Sequence, residues 1–304
     1  MDGWEDFEII ENLGSRNHRK FNEVKHVRNR KTGTDGVLKR CVKTKQNQHL
    51  IPLIRQEAGL NFDSPCLPHT LAFEETETEI WMIRNFQKGI GLDRFWAQLP
   101  KKQRSRVCIQ LLEKLIPLFE EIQEKAIVHA DVKPSNLIID ANGKDFDVKL
   151  IDFGISIDLK KSVDRSTLFA LGFSAPELIL NKIHLVNHTT DLFALGTTLW
   201  FLCTGKLPLS HPNPGIMTNL QITHPLPINK QIPAELKAVL PKMCFKHSFH
   251  LPPNLLPATE VDAYLSNAMQ QRFQSITEIL EVIHEVQQRE NKRIFYQLFR
   301  KRTT

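Results

Sequence analysis

The stretch from residue 129 to residue 154 carries four side chains whose types suit one kind of chemistry. Asp131 could accept a proton from a hydroxyl group, and Lys133 follows it by two residues. Asn136 and Asp152 offer the hard oxygen ligands that Mg²⁺ prefers, which leaves the remaining metal positions to water and phosphates. Phosphoryl transfer requires this combination of a hydroxyl-directed carboxylate, a cation and a metal site.

Short apolar runs flank these polar residues and predict strands that would position them. Residues 127–128 precede the polar stretch, residues 137–139 follow it, and residues 148–151 repeat the pattern beyond a turn at Asn142-Gly143. The runs are too short for helices. They therefore predict a hairpin with polar residues at one end.

Asp and Asn also initiate turns, so a strand pair with ordinary polar turn residues is the alternative interpretation. Two further motifs oppose it. Asp152-Phe153-Gly154 begins 21 residues after Asp131 (152 − 131 = 21), and Ala175-Pro176-Glu177 closes the segment.

With these motifs the sequence resembles the protein kinase family. The stretch from His129 to Asn136 matches the family's catalytic loop H-R-D-x-K-x-x-N except at Ala130, and the D-F-G motif is intact. The resemblance implies that Asp131 and Lys133 are catalytic, and that Asn136 and Asp152 bind Mg²⁺ and ATP. It also implies a bilobal α+β fold, with a small, mainly antiparallel β lobe containing one key helix and a larger, mainly α lobe.

The resemblance divides the chain into an ATP-binding lobe at 1–86, a catalytic and substrate-binding lobe at 87–290, and a basic tail at 291–304. Within the second lobe, residues 208–257 contain ten prolines. Proline lacks the donor that a helix interior needs, so we expect a loop-rich insertion there rather than long helices.

The first lobe begins with residues 4–45, which alternate like strands of an antiparallel sheet. Lys39 directly follows an apolar pair, where a strand would bury its stem and point the ammonium at phosphates, and Lys43 is the competing choice. Apolar spacing over 50–62 predicts a helix that carries Glu57. The resemblance implies that Glu57 pairs with Lys39, and an exposed helix carboxylate is the alternative.

The loop expected to cover the ATP phosphates departs from the family. Gly14 opens it, but a run of polar and basic residues follows where further glycines are expected. Either Arg16, Arg19 or Lys20 contacts phosphate, or the segment is a solvated basic hairpin.

Asn85 and Phe86 align with the linker between the lobes, whose backbone is expected to hydrogen-bond the adenine of ATP. Arg84 stands where the family usually carries an apolar residue that borders the purine.

The segment from 155 to 167 resembles the activation loop, and two residues outside it depart from the family pattern. Ala170 stands where serine/threonine kinases usually place a threonine, which is expected to weaken substrate positioning. Ala130 replaces the arginine that binds a phosphorylated activation loop, so we expect activity without such phosphorylation.

The second lobe carries two further matches. Asp191 matches the aspartate that opens a buried central helix, and the run from 192 to 200 is apolar on all sides. Arg272 matches the arginine that pairs with the glutamate of the A-P-E motif, here Glu177.

Composition limits the cellular location and the partners that we expect for this protein. Five widely spaced cysteines without a C-x-x-C motif predict a reducing, cytoplasmic setting. The chain has a formal charge of +6, but its basic residues are scattered, so we expect no nucleic-acid partner. We expect no membrane span, and we favour a basic tail docked on its own domain over one in peripheral contact with a membrane.

The expected partners are ATP and a protein with serine or threonine hydroxyls, because Lys133 follows the pattern of serine/threonine-directed kinases. An ATP-binding pseudokinase scaffold is one alternative, although such proteins have usually lost one of the Lys, Asp or Asn residues kept here. A small-molecule phosphotransferase is the other, although that class generally lacks the A-P-E and Arg272 features.

Overall fold

The computed structural model describes residues 3–13, 23–143, 145–161, 168–227 and 229–300, the side chains of 293–300 excepted. Contacts divide the chain into two compact units. The first takes the described residues up to Ile90 together with Leu137–Ser156, and the second takes Gly91–Asn136 and the chain from Ile157 onward. The segment after Asn136 groups with the first unit because its backbone bonds there: Leu150 N–H donates to the carbonyl of Cys66 at 3.1 Å.

The first unit contains an antiparallel sheet in the strand order β1-β2-β3-β5-β4. A turn at Gly33, whose φ of 72° suits glycine, joins β2 to β3. The strands are β1 (Phe7–Asn12), β2 (Glu23–Asn29), β3 (Asp35–Val42), β4 (Thr70–Glu75) and β5 (Glu79–Asn85).

Strand β5 is buried on both faces. Ile80 and Met82 pack with helix α1 (Ile51–Ala58) on one face, and Trp81 and Ile83 pack in a second apolar cluster on the other. Because side chains alternate along a strand, this one strand connects both cores of the unit.

Helix α1 is shorter than the spacing over 50–62 predicts. It ends at Ala58, before Gly59, and Leu60 N–H donates to the carbonyl of Glu57 at 3.1 Å. Glycine is a poor helix former, and the tightened last turn takes Leu60 out of the helical register.

The predicted hairpin is present in the first unit as β8 (Leu137–Asn142) paired antiparallel with β9 (Asp145–Leu150). Gly143 in its turn has a φ of 66°, which explains the Asn-Gly signal in the sequence.

The second unit is mainly helical, so the predicted α+β class is confirmed. The short strand β6 (Ile90–Gly91) leads into it, and β7 (Ile127–Val128) pairs with β10 (Ile157–Asp158). The helices are α2 (Leu92–Gln98), α3 (Arg104–Glu124), α4 (Pro176–Ile179), α5 (His188–Thr204), α6 (Pro214–Thr223), α7 (Ala234–Met243), α8 (Ala258–Gln271) and α9 (Ile276–Arg300).

Helix α5 is the buried centre of the second unit, as its uniformly apolar sequence predicts. The side chain of Asn187 caps its start by accepting from Thr189 N–H at 2.9 Å. Gly205 ends it with a φ of 71°, a left-handed conformation that favours glycine.

The predicted pairing of Glu177 with Arg272 is confirmed. Arg272 donates from Nη1 and Nη2 to the two carboxylate oxygens at 2.7 and 3.1 Å, and Thr190 Oγ1 donates to Glu177 at 2.8 Å. Both charged side chains are fully buried. A buried pair of this kind adds little net stability but costs about 3–5 kcal/mol when one partner is removed, so it fixes the geometry of α4.

The proline-rich segment is more helical than predicted, because it contains α6 and α7. Pro214 is the first residue of α6, where a missing N–H costs nothing, and Pro233 immediately precedes α7. Proline position, rather than proline number, decides whether a helix forms here.

Helix α9 continues into the basic tail as far as Arg300, and the side chains from residue 293 onward lie outside the described residues. Within the part of the chain that the structure describes, no helix has both the length and the apolar character needed to cross a membrane.

Candidate active site

One ammonium and two carboxylates form a cluster in the first unit. Lys39 Nζ donates to the two carboxylate oxygens of Glu57 at 2.7 and 2.9 Å and to Asp152 Oδ1 at 2.8 Å. Lys39 is 6% exposed and Glu57 is 1% exposed, so water screens these charges weakly. The contact between Lys39 and Glu57 predicted from the sequence is therefore present.

Three different elements deliver these side chains. Lys39 lies on β3 opposite Met82, Glu57 lies in the last turn of α1, and Asp152 follows β9 by two residues. Asp152 has a φ of 66°, which is uncommon for a residue other than glycine. Such backbone strain persists only where the surroundings enforce it, and here the ammonium group bonds the side chain.

The two carboxylates keep the Lys39 ammonium charged. Burial by itself lowers the pKa of Lys39, but the charges and hydrogen bonds of Asp152 and Glu57 outweigh it and raise that pKa. Lys39 therefore stays protonated at neutral pH. The Asp152 carboxylate, whose side chain is 30% exposed, is a hard oxygen donor of the kind that Mg²⁺ prefers.

Lys43, the competing candidate, lies elsewhere in the same unit. Its Nζ donates to Glu75 Oε1 at 2.7 Å and to the carbonyl of Thr76 at 2.6 Å. The strand register thus brings Lys39, not Lys43, to Glu57.

A second polar cluster lies in the second unit, in the loop after β7. Lys133 Nζ donates to both carboxylate oxygens of Asp131 at 2.9 Å, and Asn136 Nδ2 donates to the carbonyl and to Oδ2 of Asp131 at 2.8 and 3.1 Å. These bonds fix the amide of Asn136 so that its oxygen is directed away from Asp131. That oxygen has the chemistry of a metal ligand.

The backbone of this loop is strained at Ala130 and held there by Asp191. Ala130 has a φ of 63°, a conformation that costs about 1–2 kcal/mol for a residue with a Cβ. Asp191, from the first turn of α5, accepts hydrogen bonds from the N–H groups of His129 and Ala130 at 2.7 and 2.9 Å. These two hydrogen bonds hold the loop backbone in its strained conformation and so position Asp131.

The linker residues lie in the first unit with their N–H groups already bonded. Asn85 N–H donates to the carbonyl of His69 at 3.0 Å, and Phe86 N–H donates to the carbonyl of Asp35 at 3.1 Å. The Phe86 ring stacks on His26, with ring centres 4.0 Å apart. Adenine binding by this backbone stays a prediction, and it requires donors or acceptors other than these two N–H groups.

Several predicted residues lie outside the described residues. They are Gly14, Arg16, Arg19, Lys20 and Asn22 of the expected phosphate loop, and Ser162, Arg165, Ser166 and Thr167 of the expected activation loop. Ala170 is described, and its N–H donates to Ser174 Oγ at 3.0 Å within a turn of the second unit.

Two contacts in the structure were not predicted from the sequence. One is the pair of hydrogen bonds that the Asp191 side chain accepts from the loop backbone. The other belongs to Arg84, which is buried at 2% exposure and donates to backbone carbonyls near the end of α1. A charged residue inside an otherwise apolar strand is the signal that could have indicated this second role.

A family model matches most of this chain. The model is that of the protein kinase domain, and it matches residues 7–251. Sperm motility kinase 2A of Mus musculus is 30% identical over 201 residues, which cover 65% of this chain and 38% of that protein.

Proteins of two further organisms are also similar to this chain. Mitogen-activated protein kinase kinase SIPKK of Nicotiana tabacum is 28% identical over 214 residues, or 68% of this chain and 57% of that protein. Serine/threonine-protein kinase SCH9 of Saccharomyces cerevisiae is 28% identical over 220 residues, or 69% of this chain and 25% of that protein. Each match covers less than two thirds of the relative.

The buried carboxyl group of Asp191 should make the unfolding free energy of the protein depend on pH. Burial raises its pKa to about 7, against the hydrogen bonds from His129 and Ala130, which lower it, whereas an unfolded Asp has a pKa of about 3.9. The folded state binds this proton more tightly, so the contribution to stability is full below about pH 4 and is lost as the pH rises to about 7.

We therefore expect the difference in unfolding free energy between wild type and Asp191→Asn to be larger at pH 5 than at pH 8, by about 1–3 kcal/mol. Denaturant titrations at both pH values measure it. The exposed Asp93→Asn is the control and should show no such change. Equal differences at the two pH values would contradict the assignment.

Proposed function

Since the chain belongs to the protein kinase family, we propose that it transfers the γ-phosphate of ATP, with Mg²⁺, to serine or threonine hydroxyls of proteins. The observation that carries the proposal is the buried bonding of Lys39 to Glu57 and Asp152. Such an arrangement is a poor stabiliser of a fold, because removing three charges from water is costly. It is a good phosphate and metal site, because it holds those charges in fixed positions.

In this reaction the residues of the first unit bind ATP. Lys39 supplies a positive charge for the phosphates, and Glu57 fixes its position from α1. Asp152 of this unit would be a ligand of Mg²⁺, with Asn136 as the second proposed ligand, and the metal would neutralise charge on the phosphates. Both ligands are hard oxygen donors, so the residues fit this metal.

The loop of the second unit acts on the substrate hydroxyl. The hydroxyl oxygen forms a bond to the γ-phosphorus, the bond from that phosphorus to the bridging oxygen breaks, and ADP leaves. Asp131 positions the hydroxyl and accepts its proton, and Lys133 compensates the charge of the transferred group. The bonds of Lys133 and Asn136 to Asp131 hold the carboxylate ready for that step.

Serine and threonine specificity rests on Lys133, two residues after Asp131, and on a relative whose name specifies a serine/threonine-protein kinase. A pseudokinase scaffold is disfavoured because Lys39, Asp131, Asn136 and Asp152 are all retained. A small-molecule phosphotransferase is disfavoured by the Glu177–Arg272 pair. The cysteine pattern supports a cytoplasmic location.

The first test removes the metal ligand and the base separately. We expect Asp152→Ala to abolish Mg²⁺-dependent transfer, and Asp131→Asn to lower kcat by about 10²–10⁴-fold in a folded protein. Transfer of labelled phosphate to a generic basic protein measures both, with Asp93→Asn as the control. Undiminished activity in either variant would refute the assigned role.

The second test compares the two lysines of one strand region. Lys39→Met should lose turnover, because the phosphates lose their ammonium partner. Lys43→Met should retain turnover, because the ammonium of Lys43 bonds Glu75 and the carbonyl of Thr76 and not Glu57. Circular dichroism melts show whether both variants fold. The reverse pattern of activity would show that Lys43 is the ATP lysine.

The third test concerns activation. We propose that activity needs no phosphate on the activation loop, because Ala130 offers a buried methyl group where an arginine would bind that phosphate. Asp191 already holds the loop backbone. We expect near wild-type activity from a variant with three substitutions, Ser162→Ala, Ser166→Ala and Thr167→Ala.

Wild-type protein treated with phosphatase should also keep nearly the activity of the untreated protein. A loss of tenfold or more in both samples, about 1.4 kcal/mol of transition-state stabilisation, would show that phosphorylation is required.

A further inference from the structure

Arg84 is a buried cation on β5, and within the described part of the chain its side-chain hydrogen bonds all go to neutral oxygens. Its Nη1 donates to the carbonyls of Glu57 and Leu60 at 2.6 and 2.9 Å and to Thr70 Oγ1 at 3.0 Å. Its Nη2 donates to the carbonyl of Pro68. A buried guanidinium pays a large desolvation cost, so bonds to four oxygens indicate a specific structural task.

Those oxygens lie where α1 ends and where the chain continues toward β4. The last carbonyls of a helix lack intrahelical donors and carry partial negative charge, so a cation there stabilises the end of the helix. Thr70 adds a second tie, because its Oγ1 donates to the carbonyl of Ala58 at 2.7 Å. Arg84 and Thr70 together fasten this end of α1 to strands β5 and β4.

Glu57 is thereby held at both ends. Its backbone carbonyl accepts from Arg84, and its carboxylate accepts from Lys39. Lys39 pairs with Met82 across the β3–β5 ladder, and Arg84 lies two residues further along β5 on the same face. One rigid sheet therefore supports both contacts of a helix only eight residues long.

We propose that Arg84 is a positioning residue that keeps α1 docked on the sheet, so that Glu57 meets Lys39 before nucleotide binds and without modification elsewhere in the chain. The family resemblance leads one to expect an apolar side chain at this position, which could not bond those carbonyls. The docking is a property of the first unit alone. Its importance for catalysis rests on the proposed function.

The test of docking needs no nucleotide. Arg84→Met keeps an unbranched apolar stem and removes every donor, and Arg84→Lys restores a cation with fewer donors. Thr70→Val removes the hydroxyl tie. Arg55→Ala is the matched control, because Arg55 also ties α1 to β4, through Glu75 at 2.7 and 2.9 Å, but at an exposed site.

Amide hydrogen exchange of residues 53–60 is measured in the absence of ATP. We expect at least tenfold faster exchange in Arg84→Met, an intermediate increase in Arg84→Lys and Thr70→Val, and less than threefold in Arg55→Ala. Exchange in α5 reports global unfolding and should stay constant. Unchanged exchange at 53–60 in Arg84→Met would overturn the proposal.

A double-mutant cycle tests whether Arg84 acts through Glu57. Arg84→Met should lower kcat/KM at least tenfold in the wild-type background but less than threefold in a Glu57→Gln background, because the pair is already broken there. Additive losses would overturn the role in positioning Glu57. If Arg84→Met acted only through a general loss of stability, it would lower kcat/KM by the same factor in both backgrounds, which is the additive result.

The two proposals fail in different ways. If wild type transfers no phosphate, the proposed function fails, and hydrogen exchange still decides whether Arg84 docks α1. If Arg84→Met does not fold, the exchange of Arg84→Lys and Thr70→Val decides, and wild-type rates at 53–60 in both would overturn the proposal.

Discussion

The burial of the Lys39 ammonium imposes the main constraint on the first unit. An unpaired ammonium in that position would lose its proton or unfold the sheet, so two carboxylates must come to it from elements far apart in sequence. Glu57 arrives on α1, and Asp152 arrives at the end of the β8–β9 hairpin. The strand register, the end of α1 and the hairpin turn all serve to keep these three groups within hydrogen-bond distance.

The same physical arrangement recurs in the second unit. A buried carboxylate, Asp191, compensates a strained backbone at Ala130, as the Lys39 ammonium bonds the strained Asp152. A second buried carboxylate, Glu177, is matched by Arg272. The two ion pairs cost desolvation free energy and add little net stability, and all of these contacts fix a polar group in place. The protein therefore uses its buried charges mainly for geometry.

The sequence allowed most of this arrangement to be predicted, because the motifs of the protein kinase family restrict residue type and spacing closely. The loop from His129 to Asn136, the hairpin signalled by Asn142-Gly143 and the burial of α5 follow from local chemistry and hydrophobic pattern. The choice of Lys39 over Lys43 depended on strand register. Register is visible in sequence when an apolar pair precedes the residue.

Through its family resemblance the sequence thus predicted the α+β class, the polar residues of both clusters and the pairing of Glu57 and Glu177 with their cations. Only the tertiary structure decided where α1 ends, that the N–H groups of Asn85 and Phe86 are already bonded, and which oxygens Arg84 and Asp191 bond. The reason is physical: motifs specify side-chain chemistry, whereas these contacts use backbone groups that every residue carries. Which backbone group meets which side chain depends on how distant segments pack.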